Sequence, residues 1–163
     1  MKILVIDDVQ ENLKSASNLL TGHELTLAGD IDTAYKALQK QSFDIVLTDL
    51  NLPIAGSQHA QRVAAHRSID ETQEAPVGLV FAIKAANKGI PVVIVSDSDH
   101  HQDIFCSLLD LLMPYYNGER TVIDGRPVIE FQEARGVEVG RTAENRIIKN
   151  WSAVIKNSRL VKH

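Results

Sequence analysis

Three short apolar runs rich in β-branched residues constrain this chain most: Ile3-Leu4-Val5-Ile6, Ile45-Val46-Leu47-Thr48 and Val92-Val93-Ile94-Val95. Runs of this length read as strands covered on both faces, as in a parallel sheet, although periodicity alone does not separate them from a buried helix. Each run ends in side chains that carry oxygen, namely Asp7-Asp8, Asp49 and Ser96. In open α/β sheets, ligands bind in the crevice beyond the carboxyl ends of the strands. Three carboxylates meeting there make a hard, oxygen-rich cation site.

Helical patterns separate the runs. Residues 10–20 place Leu13, Ala16, Leu19 and Leu20 on one face, with Gly22 at the stop. Residues 24–28 alternate polar and apolar as a second strand. Asp30 or Asp32 can cap the next helix, whose stripe is Ile31, Ala34, Tyr35 and Leu38. The third strand spans residues 43–48, and Asn51-Leu52-Pro53 is the loop leaving it. Residues 55–75 break the rhythm with small and polar residues and read as an insertion, either a short helix at 58–66 or a loop. Val77, Val80, Phe81, Ile83 and Ala86 are apolar nearly all round, which predicts a buried helix closed by Gly89. After the strand at 91–95, a helix is expected over 103–112.

Beyond that point the pattern diverges, over about 113–149. Asp124-Gly125 is either a hairpin turn or the lead-in to a fifth core strand at 127–132. Trp151, Val154 and Ile155, with Asn150 as N-cap, form a closing helix that packs on the sheet. The expected fold is α/β: a doubly wound, five-stranded parallel sheet in one domain over residues 1–163.

Composition excludes several classes. With 44% hydrophobic and 23% charged residues, a chain of 163 can build a real core rather than stay disordered. A formal charge of −4 argues against nucleic acid as the main partner. The one cysteine, Cys106, lies in an apolar stretch, where a buried thiol fits. No run reaches membrane-spanning length and no leader precedes the first strand, so the expectation is a cytoplasmic protein with no membrane association.

The segments Lys2-Ile3-Leu4-Val5-Ile6-Asp7-Asp8, Asp44-Ile45-Val46-Leu47-Thr48-Asp49-Leu50-Asn51-Leu52-Pro53 and Pro91-Val92-Val93-Ile94-Val95-Ser96 resemble the receiver domain of two-component response regulators, a flavodoxin-like fold. The resemblance covers residues 1–112. It implies that Asp49 is the phosphoacceptor, that Asp7, Asp8 and Asp49 hold Mg²⁺ with the backbone carbonyl of Asn51, and that Ser96 is the switch hydroxyl. The family's strand-end lysine is missing at Phe131-Gln132-Glu133, and Arg126-Pro127 begins a strand instead. Lys149 is the candidate for the phosphate-facing ammonium, with a solvated surface lysine as the alternative. Phe131 is either the family's switch aromatic or a core residue.

The resemblance implies a histidine kinase or phosphotransfer protein as donor and a downstream protein as target, and it allows a homodimer. No separate output domain fits in the chain, and a phosphoacceptor of this kind is not a turnover enzyme. Other readings stand beside this one. Singly, an aspartate after a strand is a cap, and Ser96 and Asn51 are turn residues. A receiver-like docking module without regulated phosphorylation is the rival function. A phosphatase of the haloacid-dehalogenase type needs a second acid two residues after the first, where this chain has Val9. Asp97, Asp99, His100, His101 and Asp103 read as helix caps near the site rather than as a transition-metal centre. Arg135, Arg141, Arg146, Lys156, Arg159 and Lys162 read as ordinary charged surface beside Glu133, Glu138 and Glu144.

Overall fold

The computed structural model describes residues 1–54, 57–58, 74–97, 121–123 and 126–161. Its main sheet is built from β1 (Lys2–Ile6), β2 (Glu24–Ala28), β3 (Ile45–Asp49), β6 (Val92–Ser96), β7 (Thr121–Ile123) and β8 (Arg126–Glu133). The spatial order is β2-β1-β3-β6-β8-β7. The first five are parallel, as expected, while β7 pairs antiparallel with β8 at the edge. Both readings of that region therefore hold: Arg126–Glu133 is the fifth parallel strand and also one arm of a hairpin.

Strand alternation sorts the core into two layers. Leu4, Ile6, Val46, Val92 and Ile94 point to one face, where they meet α2 (Ile31–Lys40) and α3 (Val77–Ala86) through Ala34, Leu38, Phe81 and Ala85. Ile3, Val5, Ile45, Leu47, Val93 and Val95 point to the other. There they meet α1 (Gln10–Leu19) and α4 (Trp151–Asn157) through Leu13, Ala16, Trp151 and Val154. Helices on both faces explain why β1, β3 and β6 lack polar alternation.

Local capping follows the sequence. Asp30 is the N-cap of α2 and accepts from the Thr33 backbone N–H at 2.8 Å, and Asn150 caps α4 by accepting from Ala153 N. Asp32 instead accepts from Ser57 Oγ at 2.8 Å and Gln58 N at 3.0 Å, anchoring the segment after β3.

Several expectations are corrected. Leu19 is exposed because α1 turns that flank away from the sheet, while Asn12 and Ser15 are buried in its place. Val80 and Ile83 are 56% and 49% exposed, since α3 packs on the sheet and α2 through one face only. Leu52–Pro53 is not simply loop. It forms the short strand β4, paired antiparallel with β5 (Glu74–Ala75), so that the ends of the 55–75 excursion meet. Apart from Gln58, the helix considered at 58–66 lies outside the described residues. So do the helix at 103–112, Cys106, the 98–103 part of the Asp/His cluster and the Asp124-Gly125 turn.

After β8, a 3-10 turn (Ala134–Val137) leads into a separate two-stranded antiparallel ladder, β9 (Glu138–Arg141) and β10 (Ile147–Lys149). This hairpin packs on α1 and delivers the chain into α4.

Candidate functional site

The sheet order reverses at β1. The chain goes from β1 to β2 on one side and then to β3 on the other, so the crevice of the switch point opens between the ends of β1 and β3. In that register Ile6 pairs with Thr48, which sets Asp7 beside Asp49. Both acids are buried, at 0% and 1% exposure, and Asp8 lies at the rim. Oxygens of Asp7, Asp8 and Asp49 all fall within 4.8 Å of one another and could hold a metal ion.

The acids are balanced by a lysine that arrives from the far end of the chain. Lys149 Nζ donates to Asp7 Oδ2 at 2.7 Å and forms an ion pair with Asp49 Oδ2 at 2.9 Å. It is fully buried, so the surface alternative for this residue is excluded. The ammonium reaches the pocket from β10 rather than from the end of β8, where Glu133 stands.

Asn12 fixes that approach. Its side-chain amide donates to both Asp7 oxygens at 2.9 and 3.0 Å, its Oδ1 accepts from Lys149 N at 2.8 Å, and its backbone carbonyl accepts from Trp151 Nε1 at 2.9 Å. Ser15 Oγ donates to the Lys149 carbonyl at 2.6 Å. The Lys149 ammonium also lies 5.6 Å from the Trp151 ring centroid, within cation–π range.

Among the described residues Asp8 Oδ1 is a buried side-chain oxygen that accepts no hydrogen bond, whereas Asp49 Oδ2 is held by its 2.9 Å ion pair with Lys149. Asp7, by contrast, is engaged by Val9 N, Asn12 and Lys149. The unpartnered Asp8 oxygen and the neighbouring Asp7 and Asp49 carboxylates form an all-oxygen donor set that fits a hard divalent cation such as Mg²⁺.

Burial pushes the Asp49 carboxyl up to about 7 from its ordinary 3.8; Lys149 opposes the rise, while Asp7 and Asp97 add to it. Burial works against the Lys149 ammonium, but Asp49 and Asp7 outweigh it and raise that group. Because the folded-state value of Asp49 lies above the unfolded one, its contribution favours the fold at low pH and is lost as pH rises through about 7. Without divalent cations, Asp49→Asn is expected to gain stability relative to wild type between about pH 4 and about pH 8. Urea midpoints of the two proteins across that range check this; a pH-independent difference would contradict it.

Ser96 ends β6 and is buried, and Asn51 stands two residues past Asp49 between β3 and β4. Phe131 is partly buried against the core layer of α2 and α3. Arg146, read from sequence as surface charge, is instead drawn over the acidic edge, with ion pairs to Asp8, Asp49, Glu74 and Asp97. Asp97 therefore faces that guanidinium at 3.8 Å and not solvent alone.

No protein-family model matches the chain. The chemotaxis protein CheY-3 of Vibrio cholerae is 32% identical over 105 residues, which cover 58% of this chain and 79% of CheY-3. A response regulator receiver domain protein from Clostridium thermocellum aligns at a TM-score of 0.47 with 20% identity, covering 96% of this chain and 91% of that one. A CheY-like receiver domain protein from Methanospirillum hungatei JF-1 aligns at 0.46 with 19% identity, over 68% and 73%. Being 32% identical to CheY-3 over 79% of that protein's length, the chain belongs to the response-regulator receiver family.

Proposed function

We propose that this receiver accepts a phosphoryl group on Asp49 in a Mg²⁺-dependent reaction and signals through altered protein contacts. The observation that carries the reading is the buried Asp49 carboxylate, 2.9 Å from the Lys149 ammonium and beside Asp7 and Asp8 at the switch point. A histidine kinase or phosphotransfer protein is the donor this chemistry fits. An Asp49 oxygen attacks phosphorus, the phosphorus–nitrogen bond of the donor phosphohistidine breaks, and the imidazole leaves with its electron pair.

Asp7, Asp8, Asp49 and the backbone carbonyl of Asn51 would hold Mg²⁺, which supplies charge stabilisation for the transferring group. Lys149 keeps its ammonium beside the acceptor, where it offsets negative charge on the acyl phosphate. In this reading the Ser96 hydroxyl, at the end of the neighbouring β6, would donate to a phosphoryl oxygen and so bias the adjacent loops. The role is that of an acceptor consumed and regenerated by hydrolysis, not of a turnover enzyme. The partners are the phosphodonor and a downstream protein, in the cytoplasm and without nucleic acid or membrane; pairing of two copies is compatible with it.

Incubation with acetyl phosphate and Mg²⁺ is expected to add one phosphoryl group by intact mass, and Asp49→Asn to abolish the addition. An unchanged mass of the folded wild type would overturn the reading. One observation favours the rival, a docking module without regulated phosphorylation: Arg146 already reaches Asp49, at 4.0 Å. Failure to bind Mg²⁺ in a titration would select that rival.

A further inference from the structure

Among the described residues, the Arg146 guanidinium is shared among four carboxylates. Nη1 lies 3.2 Å from Asp8 Oδ2 and 3.4 Å from Glu74 Oε1, Nη2 lies 4.0 Å from Asp49 Oδ2, and Nε lies 3.8 Å from Asp97 Oδ2. Asp8 and Asp49 belong to the metal-capable trio, and Asp8 also carries a buried oxygen that accepts no hydrogen bond among the described residues. We propose that Arg146 is a tethered competitor for the divalent cation: guanidinium and metal claim the same two carboxylates, so this residue sets the cation affinity of the site. The inference rests on the Mg²⁺ reading above and adds to it a residue that no strand-end motif supplies.

The two cations of the pocket are held very differently. Lys149 is fully buried and grips Asp7 and Asp49 at 2.7 and 2.9 Å. The Arg146 side chain is 30% exposed, and of its four ion pairs only that to Asp8 is also a hydrogen bond. A cation shared loosely at the rim, with water on one side, can be displaced where a buried one cannot.

The tether is built rather than incidental. Arg146 closes the β9–β10 turn, donating from its N–H to Thr142 Oγ1 at 3.2 Å and accepting from Thr142 N at 2.9 Å. Asn145 adopts a left-handed φ of 65°, and its carbonyl accepts from Arg141 Nη1 at 3.0 Å. A metal binding Asp8 and Asp49 must displace the guanidinium, because two cations on the same carboxylates repel one another across a few ångströms. That displacement weakens binding relative to a pocket without Arg146.

The test is a calorimetric Mg²⁺ titration of full-length wild type, Arg146→Gln and Arg135→Gln. The last removes the same charge from an exposed position outside the pocket. Arg146→Gln is expected to bind about tenfold more tightly than wild type, and Arg135→Gln equally to wild type. In wild type, saturating Mg²⁺ should also speed hydrogen exchange at the Asn145 and Arg146 amides as the turn loses its anchor, a readout independent of whether a variant folds. Equal or weaker binding by Arg146→Gln, or unchanged wild-type exchange at saturation, overturns the competitor role while leaving the metal site standing. Binding by neither protein overturns both.

Discussion

Lys149→Met is expected to destabilise the protein by about 3–5 kcal/mol near neutral pH, a large share of the roughly 5–15 kcal/mol available to a domain. Methionine nearly matches the shape of the lysine stem, so the loss is one of charge rather than of packing. The ammonium is the buried counter-ion of Asp7 and Asp49, at 0% and 1% exposure, and without it two carboxylates face one another in a dry site. Arg146 does not replace it, lying 4.0 Å from Asp49 and at the rim.

Two further measurements separate this cause from generic damage. Asp49 already sits high on the pH scale, at about 7, so lowering the pH lets it protonate and the defect of Lys149→Met should shrink in acid. Likewise, the double variant Lys149→Met/Asp49→Asn should recover part of the lost stability, because one of the two stranded charges is gone. Denaturant midpoints for the set would decide it. A Lys149→Met protein as stable as wild type at neutral pH would show that the pair contributes nothing.

Gly78→Ala should also destabilise the protein although it adds one methyl group. A Cβ at Gly78 would fall 1.8 Å from the carbonyl oxygen of Asp49, 2.8 Å from its carbonyl carbon and 2.9 Å from Leu50 Cα. All three are backbone atoms, so no rotamer change makes room. The first turn of α3 must retreat from the end of β3, breaking the hydrogen bond from Gly78 N to Leu50 O at 2.9 Å. Overpacking of this kind costs about 1–3 kcal/mol, and here it strikes the residue that carries Asp49. Both stability and acetyl-phosphate labelling should fall. Gly136→Ala, where the new methyl meets nothing within 4 Å, is the matched control and should change neither. Wild-type behaviour of Gly78→Ala would mean that the helix and strand are not held at this spacing.

The contrast between these positions shows what was legible in the sequence. The strands of the switch point were, because β-branched runs covered on both faces have few alternatives, and their ends place Asp7 beside Asp49 by register alone. Lys149 could be nominated only by resemblance and elimination, since nothing local says that a three-residue strand of an appended hairpin folds back onto α1 and brings its ammonium to Asp7. Asn12 was silent for a similar reason: on α1 it reads as a polar flank, yet it is the joint among Asp7, Lys149 and Trp151. Arg146 was misread because its neighbours in sequence are charged surface residues, whereas its partners come from the ends of three strands and β5. Gly78 did leave a signal, a glycine in the first turn of an otherwise apolar helix, where close backbone approach is a standing explanation.

The hydrogen bond from Lys149 to Asp7 spans 142 positions of the chain. The strands bearing Asp7, Asp8 and Asp49 are complete within the first 49 residues, whereas the ammonium that pairs with Asp7 and Asp49 comes from the last 15. Local contacts can therefore assemble β1, β2 and β3 early, but their acidic ends stay solvated until the hairpin docks and the longest loop closes. A chain truncated before Lys149 would carry Asp7 and Asp49 without this counter-charge. Charge pairing at the pocket thus depends on the docking of the β9–β10 hairpin, whose last residue brings the ammonium to Asp7 and Asp49.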